Sequence, residues 1–223
     1  EANRLLIEVD STRRLDQVPM SHHDWFNYGG IYREVSLFRL PETHITDFAI
    51  GLDPASGRVF AEIAVSGAAS GSAEISIAGG PAFSVPVENG AGRIEIDWQP
   101  ELWSPETPRL YEVTARFGTD TVSDRVGFRT IRRDGIRLLL NGMPIHLNGV
   151  CVHEDDIVLG KATSEADIRQ RFADVKELGA NAVRLAHYPH HEVVARIADE
   201  LGVLLWAEIP VYWAIDFADP ETY

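Results

Sequence analysis

Histidine and carboxylate side chains stand directly after three strand-like stretches in the second half of the sequence. His153 and Glu154 follow the first stretch, His187 follows the second, and Glu208 follows the third. Imidazoles and carboxylates can transfer protons, and they can also hydrogen-bond the hydroxyl groups of a ligand. Because the active sites of parallel α/β folds gather at the carboxyl ends of the strands, these four residues are candidates for a single site.

A metal site is one chemistry that these residues suggest. His187 and His191 are four positions apart, but Pro189 lies between them and breaks the single helical face that such spacing requires. The adjacent His22 and His23 are weaker candidates, because neighbouring side chains along an extended chain point apart. The pattern therefore gives little support to a metal site.

Glycoside hydrolysis is another chemistry, and it needs two carboxyl groups on either side of the scissile bond. They stand about 5–5.5 Å apart when the reaction retains configuration and farther apart when it inverts. The internal candidates are Glu154, Asp155, Asp156 and Glu208. None of them has a partner in the sequence that determines its role. No phosphate-binding loop, nucleophile elbow or glycine-rich dinucleotide turn occurs beside them.

The stretch after about residue 131 must position these residues, and it predicts the order strand, helix, strand, helix, strand. Asn141-Gly142 between two apolar runs predicts a tight hairpin before them. The first helix is expected from a cap at Ser164 to Gly179, and the second between Pro189 and Gly202. The predicted strands are Asn148–Val152, Ala182–Ala186 and Val203–Ala207. Helical crossovers demand parallel pairing, which fits either a doubly wound sheet or the start of a (β/α)₈ barrel.

The first 130 residues or so show no helical period and instead contain short apolar or alternating runs separated by turns. These runs are Leu5–Val9, Val35–Leu40, Phe60–Val65, Ala73–Ile77, Gly92–Ile96 and Glu112–Phe117. This spacing predicts β-sandwich structure, with residues 43–130 as one domain of immunoglobulin-like size. Residues 1–42 are too few to bury a core, and they are interpreted as the end of an upstream β domain.

The composition is that of an acidic globular chain. Its net charge of −14 argues against a nucleic-acid partner. The sequence has no apolar run of membrane-spanning length and no secretory signal at its first residues. A cytoplasmic location is therefore favoured, with a periplasmic or secreted one left open. The single cysteine, Cys151, excludes an internal disulfide and is interpreted as a packing residue.

Several strings resemble glycoside hydrolase family 2, the β-galactosidase/β-glucuronidase family. The strongest is Asn181–Pro189, followed by Asp199–Gly202 and an apolar run that ends in Glu208. Leu185 stands where the family usually has a small polar residue or cysteine. Further similar segments occur in the family's order at residues 24–33, 102–129 and 140–154. The resemblance thus touches almost the whole chain.

The resemblance implies a multidomain β plus α/β fold. Residues 1–42 would end a sugar-binding jelly roll, residues 43–130 would form an immunoglobulin-like β-sandwich, and residues 131–223 would form the first three β/α units of a (β/α)₈ TIM barrel. It also implies a retaining, β-galactosidase-like hydrolase of a terminal β-linked sugar. The catalytic glutamates would follow barrel strands four and seven, beyond Tyr223. No catalytic residue is therefore assigned, and the chain by itself is expected to be inactive.

The resemblance also implies roles for particular residues. Asp24 matches the family's acidic contact with sugar hydroxyls, and His187 matches an imidazole that hydrogen-bonds near the sugar ring. Arg184 is expected in the barrel interior, paired with Glu208 because a buried charge needs a partner. The residues expected in the pocket or directly behind it are His153, Glu154, Arg184 and Glu208.

The remaining expectations concern partners. The partner is a β-glycoside rather than a nucleic acid or a membrane, and a homo-oligomer is left open. No cofactor is required within this chain, and the cation dependence of the parent enzyme is left open. Trp25, Trp206 and Trp213 could form sugar-stacking faces, but they are expected to pack in a core or an interface. The alternative to an enzyme is a non-catalytic carbohydrate-binding or structural β-sandwich module.

Overall fold

The computed structural model describes residues 4–14, 16–19, 24–211, 215–218 and 220. Within these residues the chain forms thirteen strands and two helices, so it combines a large β portion with a smaller α/β portion. Neither of these helices is long and apolar enough to cross a membrane. His22, His23 and Trp213, which the sequence analysis considered, lie outside the described residues.

The chain divides into two compact units. The first comprises Glu1–Ser36, Gly149–Ala195 and Leu205–Tyr223, and the second comprises Leu37–Asn148 and Arg196–Leu204. The first unit contains the strand ends that carry the histidines and carboxylates. The second contains most of the β structure.

Two antiparallel sheets make up most of the second unit. Their strands are β1 (Ile45–Leu52), β2 (Val59–Val65), β3 (Gly71–Ile77), β4 (Ala82–Val87), β5 (Ala91–Ile96), β6 (Tyr111–Phe117) and β7 (Asp120–Val126). One sheet has the order β1-β2-β5 and the other the order β4-β3-β6-β7. Both sheets contribute to one apolar core, so this part of the chain is a β-sandwich.

The core lies between these sheets because alternate side chains of the strands face inward. In β2, Val59, Ala61, Ile63 and Val65 are buried, whereas the residues between them are partly exposed. Strands β3 and β6 show the same alternation. Since burying one Val or Ile side chain stabilises a fold by about 1.5–3 kcal/mol, this period-two pattern determines which face of each strand packs inward.

A meander of short strands follows the sandwich. It consists of β8 (Ile131–Asp134), β9 (Arg137–Leu140) and β10 (Met143–Pro144), all paired antiparallel. The turn between β9 and β10 has φ angles of 53° at Asn141 and 80° at Gly142. Asn and Gly tolerate this left-handed conformation, so the hairpin predicted from Asn141-Gly142 is confirmed.

The α/β portion has the predicted order of elements. It consists of β11 (Gly149–Val152), α1 (Glu165–Glu177), β12 (Ala182–Leu185), α2 (Val193–Leu201) and β13 (Leu204–Ala207). Strands β11 and β12 pair in parallel, and the sheet has the order β11-β12-β13. A helix in the crossover from β11 to β12 permits this parallel pairing. The second helix begins four residues after the predicted start, at Val193 rather than Pro189.

Helix α1 begins at the predicted cap. The Ser164 hydroxyl accepts a hydrogen bond from the Asp167 backbone N–H, and the Asp167 carboxylate accepts one from the Ser164 N–H. Ile168, Phe172 and Val175 form its buried face. These contacts stabilise the first turn, where backbone N–H groups have no partner within the helix.

Replacing Ser164 with alanine is expected to lower the free energy of unfolding by about 1 kcal/mol, because the first turn loses its capping acceptor. Urea unfolding followed by circular dichroism measures this change. Ser76→Ala, at an exposed position of β3, is the matched control and should change stability by less than about 0.5 kcal/mol. Equal losses in the two variants would contradict the capping role.

Trp103 joins the sandwich to Asp199, which belongs to the same unit. Its side chain is fully buried, and its indole N–H donates to the Asp199 carbonyl oxygen at 2.8 Å. The Arg129 guanidinium lies 4.4 Å from the centre of the indole and also pairs with the Asp199 carboxylate at 2.8 Å. Burial raises the pKa of Asp199, and Arg129 opposes that rise. Arg129 therefore offsets part of the cost of burying this carboxylate.

Three predictions from the apolar pattern are wrong. Residues 5–9 and 35–40 form no strand, and Leu6 and Leu37 are exposed. Strand structure requires a paired neighbour, which a local alternating pattern cannot supply. Cys151 is exposed rather than packed, because it lies on a face of β11 that points away from the buried side chains.

Candidate functional site

Arg184 of β12 and His187 of the loop after it contact the carboxylate of Glu208, the residue that follows β13. Arg184 donates from Nε to Glu208 Oε1 at 2.6 Å and from Nη2 to Oε2 at 3.1 Å. His187 follows a cis peptide bond after Ala186, and its Nδ1 lies 3.1 Å from Glu208 Oε2. The predicted pairing of Arg184 with Glu208 is therefore present, although 43% of the Arg184 side chain is exposed.

This environment keeps Glu208 ionised. Hydrogen bonds from Arg184, and secondarily from His187, lower the pKa of Glu208 below its ordinary value. The same ion pair raises the pKa of Arg184. A carboxyl group with a lowered pKa carries no proton near neutral pH, so Glu208 is suited to hold cationic and N–H groups in place and unsuited to act as a general acid.

A second imidazole faces the first. The rings of His153 and His187 are 5.3 Å apart and nearly perpendicular. Burial, and then the proximity of His187, lower the pKa of His153, while Asp155 and Asp24 oppose that shift. A neutral imidazole can both donate and accept a hydrogen bond, which suits contact with sugar hydroxyls.

Aromatic side chains surround the two histidines. Trp25 is buried, and its ring lies 5.6 Å from that of His187 and 5.8 Å from that of Tyr188. The prediction that Trp25 packs is therefore confirmed. Trp206 is exposed, so it does not pack in a core of this chain, and its packing in an interface stays a prediction. Asp24 precedes Trp25 and is itself exposed, so it is accessible to a ligand.

The Tyr188 hydroxyl connects the loops after β11 and β12. It donates to Asp155 Oδ2 at 3.0 Å and accepts from the Glu154 backbone N–H at 3.3 Å. Lys161 is buried, with its Nζ 3.4 Å from the centre of the Tyr188 ring. Burial raises the pKa of Tyr188 and lowers that of Lys161. The hydroxyl therefore stays protonated and works as a donor.

Glu154 is held inside the protein by two other parts of the chain. Only 2% of the residue is exposed, and its carboxylate pairs with Arg33 at 2.7 Å. The His191 backbone N–H donates to its other oxygen. Both carboxylate oxygens are thus engaged within the protein. Sequence reasoning missed Arg33, whose only local signal was its position in the string of residues 24–33.

A cavity opens beside Glu208. Its volume is about 290 Å³, and its lining residues are Arg184, His187, Ala207, Glu208, Ile209 and Val211. This volume is at the lower limit of small-molecule sites, which span about 300–1,000 Å³. Larger cavities of about 380 and 450 Å³ occur in the second unit, but no histidine lines them. The smaller cavity is therefore the candidate site.

Among the described residues, no group of three or more His, Cys, Asp or Glu is arranged to hold a metal ion.

Comparison with known protein families identifies the chain. The model described as "Glycosyl hydrolases family 2" matches residues 43–129, and the one described as "Glycosyl hydrolases family 2, TIM barrel domain" matches residues 131–214. The chain belongs to glycoside hydrolase family 2. The resemblance noted in the sequence is thereby confirmed.

Relatives within family 2 support the assignment. A beta-glucuronidase of Bacteroides fragilis is 31% identical over 98% of this chain and 36% of its own length. A beta-galactosidase of Arthrobacter sp. is 33% identical over 87% of this chain and 18% of its own length. The chain thus spans well under half of the curated relatives that it matches.

A solved family 2 structure has a similar fold. The beta-galacturonidase of Eisenbergiella tayi bound to galacturonate superposes with a TM-score of 0.76 at 34% identity. The match covers 90% of this chain and 39% of that one. The β-sandwich followed by α/β structure is therefore an arrangement found in family 2.

Proposed function

We propose that the protein carrying this chain hydrolyses a terminal β-linked sugar with retention of configuration, and that this chain supplies the sugar-binding side of the pocket. The observation that carries the proposal is the cluster of Glu208, Arg184 and His187, with His153 facing it, in a chain of family 2. It combines a fixed anion, a cation and one imidazole that line a cavity, with a second imidazole 5.3 Å from the first.

The proposal assigns a family role to each part of the chain. Residues 1–42 end a sugar-binding jelly roll, residues 43–130 form the immunoglobulin-like sandwich, and residues 131–223 provide the first three β/α units of a TIM barrel. The catalytic acid/base and nucleophile belong to barrel strands four and seven. In that assignment, the strand that precedes Glu208 is the third.

Asp24 and His187 are the proposed sugar contacts. The exposed Asp24 carboxylate can accept hydrogen bonds from two hydroxyl groups, and the His187 imidazole can contact a third. His153 completes this side of the pocket. Glu208 holds His187 in its orientation by accepting a hydrogen bond from Nδ1 at 3.1 Å, and Arg184 holds Glu208 in turn. They therefore support binding without taking part in proton transfer.

The substrate class follows from the relatives. Those named above are a beta-glucuronidase and a beta-galactosidase, and the solved structure is a beta-galacturonidase bound to galacturonate. We accordingly propose a β-galactoside or a β-uronide as the substrate. Assays of the full-length protein with chromogenic β-galactoside, β-glucuronide and β-galacturonide test this choice. Sugar binding without hydrolysis of any of the three would favour the non-catalytic module instead.

Glu208→Gln is expected to lower kcat/KM about 10- to 100-fold without abolishing hydrolysis. The amide keeps the shape of the side chain but loses its charge, so Arg184 and His187 lose a charge-assisted partner worth about 1.5–3 kcal/mol. Initial rates across a range of pH measure the effect, and the shape of the pH profile should not change. Complete loss of turnover together with loss of one limb of that profile would instead identify Glu208 as the proton donor.

A further inference from the structure

The segment of residues 24–34 carries Asp24 and Trp25 but has no regular secondary structure of its own. A side chain contributes to binding only if its backbone is held within a fraction of an ångström of the productive position. Because no helix or strand holds this segment, its side-chain contacts must do so. Those contacts are concentrated at its two ends.

Arg33 connects the segment to two loops at once. Its Nη2 donates to Glu154 Oε2 at 2.7 Å, in the loop after β11, and to the Pro189 carbonyl oxygen at 3.1 Å, in the loop after β12. Glu154 also accepts from the His191 backbone N–H through its other oxygen. One ion pair thus joins the segment and both loops.

The burial of this ion pair makes it sensitive to the loss of either partner. Only 3% of the Glu154 side chain and 33% of the Arg33 side chain are exposed. Removing the arginine would leave a buried carboxylate without its counter-charge, and such a loss is far more damaging than the loss of a surface pair. The buried pair therefore holds the backbone at Arg33 in place against the loop that carries Glu154.

The other end of the segment lies on the same two loops. Trp25 packs beside His187 and Tyr188, which follow β12. The Tyr28 ring approaches Gly160, in the loop after β11, so closely that a Cβ there would lie 3.0 Å from it. The segment is thus held against the loops that carry His153 and His187.

We infer that Arg33 and Glu154 are positioning residues that fix the segment so that Trp25 stays packed beside His187 and the neighbouring Asp24 is held at the sugar-binding side formed by His187 and His153. This inference rests on the proposed function, since it assigns Asp24 to sugar binding. Loss of the pair weakens sugar binding in the ground state and the transition state equally. Such uniform binding changes KM and leaves kcat nearly unchanged.

The test uses the full-length protein and the chromogenic glycoside that it cleaves best. In Arg33→Ala and in Glu154→Gln, we expect KM to rise about tenfold or more and kcat to change less than about threefold. The double variant should be no worse than the poorer single variant, because both changes break one interaction. Arg137→Ala, which breaks the exposed pair with Asp134, is the matched control and should leave both constants unchanged.

Hydrogen exchange provides a readout that does not depend on turnover. Amides of residues 24–34 should exchange faster in Arg33→Ala than in the wild type, whereas amides of α1 should exchange at unchanged rates. If Arg33→Ala fails to fold, Arg33→Lys keeps the charge in place. It loses the second hydrogen bond and should give a smaller rise in KM.

The outcomes separate the two proposals. Absence of turnover by the wild type on every glycoside tested overturns the proposed function. Wild-type turnover with an unchanged KM in both single variants overturns the positioning role alone, as do additive effects in the double variant. Unchanged exchange at residues 24–34 in the alanine variant also overturns it.

Discussion

Replacement of His187 by alanine is expected to lower kcat/KM for the cleaved glycoside about 100-fold. The imidazole lies 3.1 Å from Glu208 and packs against Trp25, so its loss removes a proposed sugar contact and opens space beside the cavity. Hydrogen bonds that involve charged groups are worth about 1.5–3 kcal/mol, which corresponds to roughly 10- to 150-fold in rate. Steady-state kinetics on the full-length protein measures the loss.

The matched control is His44→Ala. His44 precedes β1 and is partly buried, with its Nδ1 3.0 Å from the Pro41 carbonyl oxygen, so it resembles His187 in burial without belonging to the site. Its replacement should leave kcat/KM within about twofold of the wild-type value. Comparable losses in the two variants would show that the effect at His187 arises from general destabilisation.

Replacement of Trp103 by alanine is expected to lower the free energy of unfolding by about 3–5 kcal/mol. The indole is completely buried and donates to the Asp199 carbonyl oxygen. A Cβ added at Gly127 would lie 2.6 Å from it, so the surroundings are tightly packed and a cavity would remain. Urea unfolding followed by circular dichroism measures the change, with the slope of the transition checked for constancy.

Two further variants divide this effect into its parts. Trp103→Phe keeps most of the apolar volume but leaves the Asp199 carbonyl oxygen without its indole donor, so a smaller loss of about 1–3 kcal/mol is expected. Trp206→Ala removes an indole that is 67% exposed, and it should change stability by less than about 1 kcal/mol. If Trp103→Ala destabilises the protein no more than Trp206→Ala does, the conclusion that the buried Trp103 stabilises the fold is wrong.

Local features of the fold could be predicted from the sequence because their causes lie within a few residues. The cap at Ser164 and the hairpin at Asn141-Gly142 each depend on side chains and φ angles next to one another in the chain. The parallel order of β11 and β12 follows from the helix between them. The apolar and alternating runs likewise predicted strands at Phe60–Val65, Ala73–Ile77, Gly92–Ile96 and Glu112–Phe117, where β2, β3, β5 and β6 occur.

Features that depend on distant partners could not be predicted in this way. Residues 35–40 are mostly apolar like a buried strand, yet nothing in the sequence says whether a neighbour pairs with them. Glu154 stands in a polar loop, and only the approach of Arg33 in space buries it. The hydrogen bond from Trp103 to Asp199 also joins distant parts of the chain. Arg184 and Glu208 were paired correctly, although burial of the arginine, the reason for expecting the pair, does not hold because 43% of its side chain is exposed.

The separation of Arg33 and Glu154 along the chain has a consequence for the order of folding. These residues are 121 positions apart, and closing a flexible loop of that length costs about 4 kcal/mol of chain entropy. A single charge-assisted hydrogen bond contributes about 1.5–3 kcal/mol, which is too little to close that loop in an unfolded chain. The residues between them include all seven strands of the sandwich. Because folding of these strands removes much of the conformational freedom of the intervening chain, we expect the Arg33–Glu154 pair to form after the sandwich strands during folding.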